Sequence, residues 1–146
     1  MIPTSFCTRW LSPEQKPTAA KLAVVSPYFS AMATGREQAT TAEAIITEVA
    51  YVLRSRRHYD LTPDEIGARL RPLLILPGLR LTHKRTYLRA FELWEAHPLL
   101  DFEDLLSIAH LERLGLKEIL SYDTDFDDIP TITRLEPSPK PVTEES

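Results

Sequence analysis

Apolar positions recur with a helical period along most of this chain and with a two-residue period in only a few short runs. From about Pro17 to Met32, the residues Ala19, Leu22, Ala23, Val25 and Phe29 form an approximate helical stripe that Gly35 ends. Thr40 with Glu43 three residues on reads as a capping box for a second helix, which carries Ile45, Ile46, Val49, Val52 and Leu53 and should reach about Arg56. Thr62, Pro63 and Glu65 predict a third helix bearing Ile66, Leu70, Leu73 and Leu74, with Pro77 and Gly78 as its stop. The run Leu79, Arg80, Leu81 alternates as a strand does, after which Thr82 is placed to cap a helix through Tyr87, Leu88, Phe91 and Trp94 to His97. Asp101 should cap the next helix, with Leu105, Leu106, Ala109 and Leu114 ahead of Gly115.

A short buried strand is expected from Ile119 to Tyr122 and a last strand from Thr131 to Leu135, on either side of an acidic turn from Asp123 to Asp128. Helices alternating with short strands predict an α/β sandwich with a mostly parallel sheet. Ligands collect at the carboxyl ends of such strands, and the acidic turn follows one of them.

Composition narrows the class. A chain of 146 residues suits one domain, expected over residues 1–135, with a disordered tail over 136–146 that is rich in Pro, Ser, Thr and Glu. No continuous apolar stretch is long enough to cross a bilayer, so no membrane partner is expected. Met1 to Trp10 lack the layout of a secretion signal and Cys7 is the single cysteine, which together place the protein, as an expectation, in the cytoplasm.

The net charge of -4 conceals a segregation. Arg54 to Arg89 holds nine Arg or Lys against three acids, whereas Ala90 to the end holds fourteen acids against four bases. On charge alone this asymmetry reads as ordinary solvated helix faces; it also allows a basic surface beside an acidic pocket, as a phosphodiester and a cation would require.

Four acids stand beside or directly after apolar runs. Glu48 lies on or beside the stripe of the second helix, where a bare carboxylate needs water, a donor or a metal. Asp104, third in its helix, suits the positive end of the dipole, yet Phe102, Leu105 and Leu106 carry that turn toward the core. Asp123 and Asp125 follow the expected buried strand at alternate positions; an Asp-rich turn anchored by Phe126 is the plainer reading. Oxygen ligands from separate elements suit a hard cation such as Mg2+ or Mn2+. The four histidines show no HExxH or paired-ligand spacing, and no glycine-rich phosphate loop is present.

The strings Thr47-Glu48-Val49-Ala50-Tyr51-Val52-Leu53, Phe102-Glu103-Asp104 and Ser121-Tyr122-Asp123-Thr124-Asp125-Phe126-Asp127 resemble PIN domains, most closely VapC-type toxins. The resemblance implies a three-layer α/β/α sandwich with a mostly parallel central sheet. It makes Glu48, Asp104 and Asp123 catalytic and metal-holding, with Asp125 an auxiliary metal ligand, Ser121 a supporting residue and Mg2+ or Mn2+ the cofactor. The reaction it implies is hydrolysis of RNA phosphodiester bonds by the toxin of a type II toxin–antitoxin pair. Arg54, Arg56, Arg57, Lys84 and Arg85 are then candidates for RNA phosphates, and a homodimer silenced by a cognate antitoxin is the expected assembly.

The opening departs from the family pattern. PIN domains usually begin with an apolar strand ending in Asp-Thr-Asn or Asp-Thr-Ser, whereas here Pro3 stands in the place of that Asp. Thr4 and Ser5 match and remain as supporting residues, the first strand is truncated, and no acid precedes Glu14. An alternative follows: a catalytically impaired relative that binds RNA or an antitoxin without cleaving.

Overall fold

The computed structural model describes residues 19–138. Five α-helices and four short strands follow one another: α1 Ala19–Ala33, β1 Ala39–Thr40, α2 Glu43–Arg54, α3 Pro63–Leu74, β2 Leu79–Arg80, α4 Lys84–Ala96, α5 Phe102–Leu114, β3 Glu118–Leu120 and β4 Thr133–Leu135. A 3-10 helix, Thr124–Asp128, fills the acidic turn. The expected opening strand, with Pro3, Thr4 and Ser5, and the tail beyond residue 138 lie outside the described residues.

The strands pair in parallel, as their helical crossovers require. Ala39 lies opposite Leu79 and Thr40 opposite Arg80, while Glu118, Ile119 and Leu120 face Thr133, Arg134 and Leu135. Two two-stranded sheets result among the described residues. The architecture is that of an α/β fold with short parallel strands.

The core is mostly helical. Helices α4 and α5 pack most extensively, and Phe91, Leu105 and Ile108 are wholly or almost wholly enclosed between them. Phe102 stacks obliquely on Phe91 and Trp94 with ring centroids 4.7 and 5.1 Å apart. Trp94 Nε1 donates to the Leu100 carbonyl at 2.9 Å, satisfying the one polar atom of a buried indole. These contacts fix the start of α5, two residues before Asp104.

Several expected boundaries shift for identifiable reasons. Thr40 caps no helix: it lies in β1, and its hydroxyl donates to the Arg80 carbonyl at 3.2 Å. Helix α2 begins instead after Ala42, which makes no side-chain cap. The capping box at Thr62 and Glu65 forms as expected, with the Thr62 N–H donating to Glu65 at 2.8 Å. Thr82 gives way to His83 at the N-cap of α4, where His83 adopts a left-handed backbone with φ 56°. Asp101 occupies the N-cap of α5 without a side-chain cap bond, and Gly115 closes that helix at φ 71°, where a side chain would be strained.

The strand expected to be buried at Ile119 to Tyr122 is shorter and more open. Leu120 and Tyr122 are 69% and 70% exposed, and only Ile119 turns toward the core. An apolar run bounded by turns carries no information about which of its faces is covered.

Gly78 marks a close approach of backbones before β2. A Cβ there would collide with the Glu37 carbonyl and come within 2.9 Å of the Met32 carbonyl, to which Gly78 N–H itself donates. The end of α1 is thereby held against the entry to β2.

Candidate functional site

Asp104 sits in the first turn of α5, half-buried, between the exposed Glu103 and the buried Leu105. Burial raises its carboxyl above the ordinary range, and the charges of Asp101, Asp123, Glu103 and Asp125 raise it further. Two of those four acids come from beyond β3, so the start of α5 and the acidic turn share one negative field.

The turn itself is closely tied. Ser121 N–H donates to the Leu135 carbonyl at 3.0 Å, and the Ser121 hydroxyl accepts the Asp123 N–H at 3.0 Å. Asp123 Oδ1 accepts the Asp125 N–H at 3.0 Å and so caps the 3-10 helix. Phe126 anchors the helix in the core, while Asp123 and Asp125 remain exposed. One lobe of Asp123 is thus engaged by backbone, and Oδ2 has no described partner.

Glu48 takes the plainer of its two sequence readings, beside the stripe and in water. The buried stripe of α2 is Ile46, Val49, Ala50 and Leu53, and Glu48 lies off it, exposed to solvent. The helical period places a residue one position before Val49 on the flank of the stripe. Among the described residues no group of three or more His, Cys, Asp or Glu side chains is gathered closely enough to hold a metal ion. The donor type nonetheless suits a hard cation: oxygen-only groups on separate elements, with Asp123 and Asp125 acting on Asp104.

The basic candidates scatter. Arg54 ends α2 and donates to the Leu61 carbonyl at 3.4 Å, and Arg56 and Arg57 are exposed in the turn after it. Lys84 opens α4 and donates to the Leu76 carbonyl at 3.0 Å. Arg85 is exposed and lines a cavity of about 500 Å³ with His83, Thr86, Arg89 and Arg113.

Two arrangements escaped the sequence reading. Glu43, first residue of α2, accepts the Tyr87 hydroxyl at 3.2 Å and lies 3.1 Å from His110 Nε2. Burial, with Glu43 beside it, pushes Tyr87 up to about 12. Arg134 of β4, the one basic residue in that strand, grips Asp127 in the acidic turn, and an arginine at the middle of a β-branched strand was the only available signal.

Helices cross between short parallel strands, with acids at the start of α5 and in the turn after the carboxyl end of β3. The PIN domain family matches residues 1–132, and the chain belongs to that family. PIN domains are a nuclease-type fold, act on nucleic acid and generally depend on a divalent metal. Among curated proteins and solved structures nothing matches significantly. No helix among the described residues is long and apolar enough to cross a membrane.

Proposed function

We propose that this protein is a metal-dependent endoribonuclease whose essential carboxylates are Asp104 and Asp123, with Asp125 and the exposed Glu48 completing an oxygen set for Mg2+ or Mn2+. The observation that carries this reading is the match of residues 1–132 to the PIN domain family, within which acids stand at the start of α5 and in the turn after β3. Repelling carboxylates held together by a fold are stabilised by a cation between them. When bound, a divalent ion acidifies a water and neutralises charge on the leaving oxygen of a phosphodiester. Ser121 orients Asp123 through its N–H, and Asp104 supplies charge from the rigid first turn of α5.

The finer identity extends the resemblance read in the sequence: the VapC-type toxin of a toxin–antitoxin pair, cytoplasmic, homodimeric and silenced by an antitoxin protein. A second reading, an impaired relative that binds RNA or antitoxin without cutting, is favoured by Pro3 in the place of the family's first Asp. One experiment separates them. Purified protein is incubated with RNA and Mn2+, beside Asp104→Asn, Asp123→Asn and Pro3→Asp. The nuclease reading expects cleavage that both Asn variants abolish and Pro3→Asp increases. Cleavage that persists in Asp104→Asn, or a folded Pro3→Asp that stays inert, sinks it.

A further inference from the structure

A second polar feature lies at the carboxyl ends of β1 and β2, and none of the acids of the turn lines it. Thr40, Thr41, Arg80, Thr82 and Lys84 line a cavity of about 530 Å³ there. Both strands end in it, and the loops that leave them lead into α2 and α4. The outside of parallel strands at their carboxyl ends is where α/β folds bind ligands.

The cations in this cavity differ from the structural arginines. Arg71, Arg89 and Arg134 are each paired with a carboxylate. Arg80 and Lys84 make no ion pair among the described residues; Arg80 Nε donates to the Gln38 side-chain oxygen at 2.7 Å and Lys84 to the Leu76 carbonyl. Each is oriented by a neutral acceptor and keeps its full charge for the cavity. Thr41 and Thr82 hydroxyls have no partner among the described residues. The caps of α2 and α4, Ala42 and His83, make no side-chain bond, which leaves the first N–H groups of both helices without a side-chain acceptor.

We propose that this cavity is a backbone subsite for single-stranded RNA, in which Arg80 and Lys84 take a phosphate and Thr41 and Thr82 take the adjoining 2′-hydroxyl. The assignment rests on the nuclease reading for its substrate class and adds to it where the strand lies. Its size falls in the ~300–1,000 Å³ range of small-ligand sites, which accommodates a sugar and phosphate and is ample for a lone ion. A threonine hydroxyl both donates and accepts, as a 2′-hydroxyl partner must. Pro77 and Leu79 also line the cavity and offer a ribose aliphatic surface.

The test is fluorescence anisotropy with a labelled oligouridylate and its deoxy counterpart, in EDTA so that cleavage does not enter. Arg80→Gln with Lys84→Gln is compared with Arg69→Gln with Arg113→Gln, an equal loss of charge elsewhere on the surface. The subsite predicts that the first pair weakens binding about tenfold at moderate salt and lowers the salt slope by about 1.4, whereas the second pair changes both little. Thr41→Val with Thr82→Val should narrow the preference for RNA over DNA. Circular dichroism confirms that each variant is folded. Equal losses in the two arginine-containing pairs, unchanged binding after Arg80→Gln with Lys84→Gln, or no binding by the unmodified protein overturns the subsite. Binding that depends on Arg80 and Lys84 in a protein that never cleaves leaves the subsite standing and removes the nuclease reading.

Discussion

Arg134 holds Asp127 through both arms of its guanidinium, Nε to Oδ1 at 2.9 Å and Nη2 to Oδ2 at 3.0 Å. Its remaining arm, Nη1, donates to the Ser121 carbonyl at 3.1 Å. One side chain therefore ties β4, the acidic 3-10 helix and the end of β3, and it holds the Asp127 carboxyl below its ordinary range. Asp123 and Asp125 lie between the tied points. Arg134→Ala should weaken Mn2+ affinity about ten- to hundredfold, as loss of a group that orients a ligand does. Calorimetric titration with Mn2+ checks it, and Arg134→Lys should restore little because an ammonium cannot form the planar fork.

Asp104 is expected to lower stability for the sake of the site. Its folded carboxyl titrates above its unfolded value, chiefly through burial and then through Asp101 and Asp123. The folded state therefore binds more protons between those two values, so stability falls as pH rises through that window and the loss is complete above the folded value. Asp104→Asn should raise the Tm in EDTA by about 1–2 °C near neutral pH, a small gain because solvent screens a half-exposed group, and the gain should vanish at acid pH. Differential scanning fluorimetry across pH measures this. Added Mn2+ should stabilise the unmodified protein and leave the Asn variant unmoved.

Gly78→Ala should cost about 2–3 kcal/mol, because its methyl meets the Glu37 and Met32 backbones, and backbone does not yield as a flexible side chain does. Urea unfolding gives the figure. The same substitution should also weaken RNA binding, since Leu79 and Arg80 follow immediately and form the wall of the proposed subsite.

Thr62→Ala supplies the contrast. It removes a complete capping box from α3 and should lower stability by about 1 kcal/mol, with Mn2+ and RNA affinities unchanged, as thermal melts and titrations can establish.

The helices were largely legible because burial of a stripe and capping chemistry both leave marks in sequence: Thr62, Pro63 and Glu65 fixed the start of α3, and Gly115 the end of α5. The pair Thr40 and Glu43 satisfied the same rule and failed, because β1 claimed Thr40 through a strand partner forty residues away. Strands of two or three residues carry too few positions for a period, so the exposure of Leu120 was invisible. For the candidate site, the partial burial of Asp104 was legible from its apolar neighbours Phe102, Leu105 and Leu106. Glu48 lies beside the stripe and reaches water, as its position next to Val49 allowed. The grip of Arg134 on Asp127 and the cavity beside Arg80 depend on tertiary proximity, for which spacing along the chain gives no sign.

The account turns on a single cation answering to both Asp104 and Asp123, and a double-mutant cycle on Mn2+ binding measures that directly. Calorimetry is run on the unmodified protein, Asp104→Asn, Asp123→Asn and the double variant. A shared ion predicts that either single substitution removes most of the affinity and that the second adds little, a coupling far from additive. Independent, additive losses, or Mn2+ binding that survives both substitutions, would contradict it.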